Sequence, residues 1–477
     1  MGRRIMAWIL LAGFVFLLLN LSVFRYQWQL SITAYVMIVL IFIFTGGKRE
    51  EQVKNMNNRK LKFKYGFGKA YKEFEIAEAN IMAELRQNEV KIGLTGEAEV
   101  KRALREPIGT GRLSELIKPG EKTVIITSDV TRPMPSKTVI PSVVEELLAA
   151  GLSYEDITIV FALGNHRQQT EDEKKYLVGE DIYNKIKCID SDTSKCKKLG
   201  ATDRGTPVEI FDVVAQADRR ICLGNIEFHY FAGYSGGAKA IMPGVSTRAA
   251  IQANHSRMVM DEARAGALED NPVRQDIEDV VKFVSIDFIV NVVLDEKKNI
   301  IKAVAGHHVE AHREGCRFLD ELYKAVIPEK ADIVITTPGG YPKDINLYQA
   351  QKALDNAKHA VRDGGIIILL AACTEGYGEE VFERWVNNSG SPDDLINGIK
   401  SNFELGGHKA AAIALVEKKA KVFMVTEMSD ELVQKLYMTP FKEMQNALEE
   451  AFKELGGEAS VLLMPFGGST LPVLESV

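Results

Sequence analysis

The sequence predicts two α/β domains with mostly parallel sheets and an interdomain cleft, preceded by an N-terminal transmembrane hairpin. Three observations carry that prediction. Short apolar strands at 123–127, 157–163 and 220–223 each empty into a polar loop before a helical stretch, the pattern of a parallel sheet covered on both faces. The same alternation restarts at 332–337. Two long apolar runs, 6–24 and 30–44, open the chain.

A chain of 477 residues with 46% hydrophobic and 26% charged positions is long enough for two or three domains. Its net charge of -6 and lack of a basic block exclude nucleic acid as the main partner, while leaving room for a small anionic substrate. The five cysteines (Cys188, Cys196, Cys222, Cys316, Cys373) form no CxxC pair. This predicts a reduced, cytoplasmic catalytic part with neither a zinc ribbon nor a disulfide framework.

At the N-terminus, Arg3 and Arg4 precede the apolar pair and Lys48, Arg49 and Lys54 follow it. Basic residues at both outer ends predict a two-helix anchor over 1–50 that holds the catalytic part on the inner face of the cell membrane. A true start at Met56, giving a soluble cytoplasmic protein, is the alternative.

The first α/β domain is expected over 58–270. Its strand at 123–127 leads into Ser128-Asp129-Val130-Thr131-Arg132-Pro133, where proline ends the strand, and a helix follows from about Ser136. The strand at 157–163 empties into Gly164-Asn165-His166-Arg167, and that at 220–223 into the crowded stretch Asn225–His255. Ligands of parallel sheets gather beyond the carboxyl ends of the strands. Asp129, Arg132, His166, His229 and Lys239 therefore share one rim. Singly, each has a plain structural explanation: a turn-capping aspartate, a surface arginine, a hydrogen-bonded histidine. Together on one rim they point to chemistry.

Gly233-Tyr234-Ser235-Gly236-Gly237-Ala238-Lys239 invites comparison with a phosphate-binding loop, but Ala240 stands where a magnesium-binding hydroxyl would be needed. Gly236 and Gly237 would still let the backbone approach an anion or a flat ring. A lysine in such a setting is a candidate for covalent attachment.

The run GNIEFHYFAGYSGGAKAIMPGV, the Asn254-His255 pair, and SDVTRPMP and GNHR upstream resemble the nickel-pincer lactate racemase family, from about residue 60 to the C-terminus. The resemblance implies a nickel-pincer nucleotide, a sulfur-bearing pyridinium mononucleotide, attached covalently to Lys239, with His255 as a nickel ligand. It makes His166 and His229 the acid/base pair and Arg132 an anchor for the substrate carboxylate. Gly236, Gly237 and Asp129 fall on the cofactor side. The implied reaction is racemisation or epimerisation of a 2-hydroxy acid, lactate or a related acid, by reversible hydride transfer from its Cα. Cofactor-synthesis enzymes would be loading partners. The residue types suit this chemistry on their own: imidazole exchanges protons near neutral pH and ligates nickel, and a guanidinium fork matches a carboxylate.

Residues 271–330 read as a connector with a hairpin and a helix from about His308. His308 and His312 lie four apart there, but no third ligand at matching spacing supports a metal site. The second domain, 331–477, has strands at 332–337, 365–371, 420–425 and 459–465. In the resemblance its Gln349 and Lys352 reach the substrate as the domain closes over the site. Two rival functions fit the same residues: a lysine Schiff-base or phosphate-binding enzyme, and a catalytically silent, membrane-tethered ligand-binding homologue.

Overall fold

The structure is a computed structural model that describes residues 12–19, 32–37, 39, 59–295 and 297–475. The chain divides into two compact units, residues 1–63 with 74–81, and residues 64–73 with 82–477. In the smaller unit Phe63 and Phe74 stack at 5.6 Å and Lys62 pairs with Glu75 at 3.1 Å.

The expected transmembrane hairpin is not supported. Among the described residues no helix is long and apolar enough to cross a membrane. Residues 12–19 and 32–37 are helical. The remainder of the two apolar runs, and Met56, lie outside the described residues. Membrane anchoring and placement on the inner membrane face fall with the hairpin.

The larger unit contains both α/β halves. The first is a six-stranded sheet built from β1 (Thr123–Ser128), β2 (Ile157–Ala162), β3 (Lys187–Asp190), β4 (Arg219–Asn225), β5 (Phe288–Leu294) and β6 (Ile300–Gly306). Its order is β6-β5-β4-β1-β2-β3, parallel except for the antiparallel β5–β6 hairpin. Residues of the predicted connector thus complete the first sheet. Ile125, Ile126, Ile159, Val160, Ile221 and Cys222 are fully buried, which explains strands that are apolar on both faces. Cys222 is a small core residue. The strand order reverses between β1 and β4, so the chain leaves these two neighbours in opposite directions and opens a crevice at their carboxyl ends.

Helices α1 (Ser136–Ala149), α2 (Arg248–His255), α3 (Pro272–Asp279) and α4 (Glu310–Tyr323) belong to this half. Thr247 caps α2 through Ala250 N, and Asn271 caps α3 with Pro272 at its first turn, each satisfying backbone donors that a helix start leaves open.

The second half has β7 (Ala331–Thr336), β8 (Val361–Leu370), β9 (Lys421–Val425), β10 (Thr439–Phe441) and β11 (Val461–Met464), parallel in the order β10-β9-β8-β7-β11. The strand expected at 459–465 therefore belongs to the second sheet. Helices α5 (Leu347–Ala357) and α6 (Gly407–Glu417) cover it.

Candidate active site

The loops after β1, β2 and β4 meet at the switch point. Asp129, 1% exposed, accepts a hydrogen bond from His166 Nδ1 at 2.5 Å and from Thr131 Oγ1 at 2.6 Å. Burial pushes its carboxyl up, but the hydrogen bonds from His166 and Thr131 outweigh this and hold it below the usual aspartate range. An ionised Asp129 keeps the His166 proton on Nδ1 and leaves Nε2 as the basic nitrogen. Asp129, expected on the cofactor side, thus sits behind a histidine.

After β4, Phe228–His229 and Gly233–Tyr234 form a two-residue antiparallel pairing. Its turn brings the Ala232 N–H to His229 Nδ1 at 3.3 Å. Gly233 has φ +74, and a Cβ there would lie 1.8 Å from the Ala267 carbonyl oxygen, so only glycine fits. The next residues are clamped from below. Arg274, 0% exposed, donates to the carbonyls of Ala232 (3.3 Å), Tyr234 and Gly236 (3.4 Å). Gly237 N–H donates to Asn291 Oδ1 at 2.8 Å, and His312 Nε2 donates to the Ser235 carbonyl at 2.8 Å. Cβ atoms on Gly236 and Gly237 would meet Asn291 at 2.7 Å and His312 at 3.0 Å. Gly236 and Gly237 line the cavity, yet their missing side chains make room for this support. His312 is buried in it, and among the described residues no group of three or more His, Cys, Asp or Glu could hold a metal.

Lys239 lines the same cavity, about 160 Å³, with His166, His229, His255 and Arg132. Its amine has no hydrogen-bond or ion-pair partner among the described residues and lies 5.9 Å from the Phe231 ring centre. Burial, with Arg274 and Arg132 nearby, pushes it well below the ordinary lysine range, favouring the neutral, nucleophilic amine. His229 and His255 are also held neutral, first by burial and then by Lys239.

His255 is oriented by a relay. Asn254 Nδ2 donates to Asp276 Oδ2 at 2.8 Å and to the Val273 carbonyl at 3.2 Å, fixing the amide so that Oδ1 faces His255 Nδ1 at 2.8 Å. Asp276 is fully buried and held by Thr202 and Thr206. His255 Nδ1 must therefore donate, leaving the Nε2 lone pair for a ligand or metal.

A wider cavity of about 510 Å³ shares Arg132, His166, His229 and His255 and adds Tyr348, Gln349, Lys352, His408 and Lys409 from the second half. All ten residues singled out in the sequence line one of these cavities or, for Asp129, contact one that does. His408 and Lys409 were missed. Lys409 donates to the Tyr348 carbonyl at 2.7 Å and lies 4.4 Å from its ring centre. Burial, then Lys352, lowers it to about 7. Burial, then Lys409, lowers His408 to about 3. Their signal was Gly406-Gly407-His408-Lys409 opening an otherwise apolar helix.

Known proteins are similar to this chain along most of its length. Residues 67–267 match the lactate racemase N-terminal domain and residues 326–471 the lactate racemase C-terminal domain. The chain belongs to the lactate racemase family. It is 36% identical over 417 residues to lactate racemase of Thermoanaerobacterium thermosaccharolyticum, covering 85% of this chain and 97% of that protein. Lactate racemase of Lactiplantibacillus plantarum is 35% identical over 384 residues, with 78% and 90% covered. The solved lactate racemase apoprotein from T. thermosaccharolyticum superposes with a TM-score of 0.79 at 35% identity, covering 87% of this chain and 100% of that one.

As a member of the lactate racemase family this protein is an isomerase of the racemase class that works by hydride transfer, and membership supports a nickel-pincer nucleotide as its cofactor. The residues fit that group. Lys239 is an unpaired amine on the cavity wall, and one oriented imidazole with a free lone pair suits a metal whose other ligands come with an organic group.

Proposed function

We propose that this enzyme interconverts the enantiomers or epimers of a small 2-hydroxy acid, with lactate or a close relative as substrate, through a nickel-pincer nucleotide tethered to Lys239. The observation that supports this best is the convergence, at one switch point, of two histidines, an unpaired lysine and Arg132. In this reading His255 Nε2 is the protein's nickel ligand, and Gly236 and Gly237 keep the tether loop thin. When bound, the group supplies a reversible acceptor for the Cα hydrogen as hydride.

The protein's own residues do the rest. Arg132 holds the substrate carboxylate through its planar fork, and Lys352 and Gln349 of α5 meet it from the second domain. His166, poised by Asp129, takes the hydroxyl proton from one enantiomer, and His229 takes it from the other. The pair starts with one proton between them: the neutral histidine takes the hydroxyl proton, the planar 2-oxo acid stays bound, and for inversion the histidine already protonated on the opposite face gives its proton to the oxygen, so the pair ends with its protonation states exchanged. Closure of domain 331–477 over domain 58–270 excludes water from the exchange. Loading requires the enzymes that build the nucleotide.

Intact-protein mass and nickel content test the assignment on protein made alongside those enzymes. The expected result is one nucleotide adduct, mapped to Lys239, with one nickel, and loss of both in Lys239→Ala. An unmodified Lys239 without nickel, in protein that nevertheless racemises lactate, would overturn it.

A further inference from the structure

A second cavity, about 710 Å³, is divided from the site by Tyr230 and Asp355, which line both. One wall is the segment around Arg264; the other is made by the carboxyl ends of α5 and α6, with Lys358, His359, Glu417 and Lys419. His359 is surrounded by cations. Burial, then Lys358, Lys419, Arg264 and Lys330, keeps its ring neutral, and its Nε2 is buried without a partner. Lys419 lies against Lys330, ammonium beside ammonium, while donating to the Lys358 carbonyl at 2.7 Å.

The acids nearby do not answer this charge. Asp355 is engaged by Lys358 at 2.7 Å, though its Oδ2 has no partner. Asp363 approaches Lys419 only at 4.0 Å with its side chain 89% exposed, and Arg264 pairs with Asp270 at the surface, where such pairs are weak. Glu417 is raised to about 9 by burial alone, with Oε1 unpartnered, so its neutral carboxyl is a donor too. Like charges pressed together beside a cavity are costly unless an anion joins them.

We infer that this cavity is a second ligand site, for a phosphate monoester. Donors reach it from three separate segments, around 264, 358 and 417–419, and Lys330 adds its charge beside Lys419. The three terminal oxygens and double charge of a phosphate can serve these, whereas the two coplanar oxygens of a carboxylate cannot. The volume leaves space for an organic body. Because both halves of the larger unit line the cavity, the bound phosphate stabilises their packing.

Calorimetric titration of the full chain, with no cofactor loaded, tests this with inorganic phosphate, glycerol 3-phosphate and acetate as probes. The two phosphates are expected to bind saturably at one site, and acetate not to compete. Lys330→Gln/Lys419→Gln should weaken phosphate by about tenfold or more, the loss of one charge-assisted contact, while Arg132→Gln leaves it unchanged. Lys330→Gln alone touches no backbone carbonyl; it covers the case of a poorly folded double variant and should itself weaken phosphate by about threefold or more. Absence of saturable binding, equal binding of acetate, or loss of binding in Arg132→Gln but not in the Lys330 and Lys419 variants would overturn the inference.

Discussion

Asp129→Asn tests the proton chemistry at a single atom. In the native protein Asp129 Oδ1 accepts from Thr131 N–H at 3.0 Å and from Thr131 Oγ1 at 2.6 Å, while Oδ2 faces His166 Nδ1 at 2.5 Å. The Thr131 N–H can only donate, so an asparagine must keep its carbonyl oxygen there and turn its NH2 toward His166. Nδ1 then has to accept, the ring proton moves to Nε2, and the nitrogen facing the substrate can no longer take a proton. Recovering the reactive tautomer means breaking a hydrogen bond formerly made to a buried charge, about 1.5–3 kcal/mol. That converts to a loss of about 10- to 150-fold in kcat. In the proposed mechanism both histidines act in either direction, so initial rates from both enantiomers should fall together. KM should change by less than about threefold, because Arg132 is untouched. Chiral chromatography of product from each enantiomer measures both parameters on protein with matched nickel content. A kcat within about twofold of the parent, or a loss lying wholly in KM, would refute the assignment of His166 as a proton carrier positioned by Asp129.

Three further outcomes follow from the supporting residues. Arg274→Met leaves three buried carbonyls of the tether loop without their donor and should cost at least about 3 kcal/mol in urea unfolding; a loss below about 1 kcal/mol would show that Arg274 is not the clamp. Asn254→Ala frees the His255 ring and should speed nickel loss to a chelator by about 10- to 100-fold, measured on the loaded enzyme; unchanged retention would remove His255 from the metal. Lys409 binds its proton less tightly when folded, its pKa falling to about 7. The unfolded chain therefore holds more protons between about pH 7 and the ordinary lysine range, and folding stability should rise with pH across that window. Lys409→Met should flatten the rise and stabilise the protein below about pH 7, and an unchanged slope in denaturant titrations would contradict the burial of this ammonium.

What was legible in the sequence follows from what each feature demands locally. Strands buried on both faces must be apolar throughout, so β1, β2, β4 and β7 were visible as runs of Val and Ile. Their carboxyl-end loops then placed Arg132, His166 and His229 on one rim before any geometry was known. The strands of the second half were legible in the same way, whereas Gln349 and Lys352 on α5 were named only through the family resemblance. The membrane hairpin was read from apolar length and flanking basic residues, and among the described residues that length does not become a spanning helix.

The residues that sequence reasoning passed over act through others, across separations that no local pattern records. Arg274 and Asn291 lie 38 and 54 residues from the nearest loop atoms they hold, and each, read alone, is an ordinary polar residue beside a helix cap or within a strand. The same distance explains the glycines. In the sequence Gly236 and Gly237 suggested a backbone made bare for an anion, whereas their absent Cβ atoms would point toward Asn291 and His312. The loop 233–239 is thus held by its surroundings: Arg274 fixes the carbonyls, Asn291 an N–H, and His312 the remaining turn. This leaves Lys239 as the member of the loop whose polar end has no protein partner, the condition a lysine must meet to be available for covalent attachment.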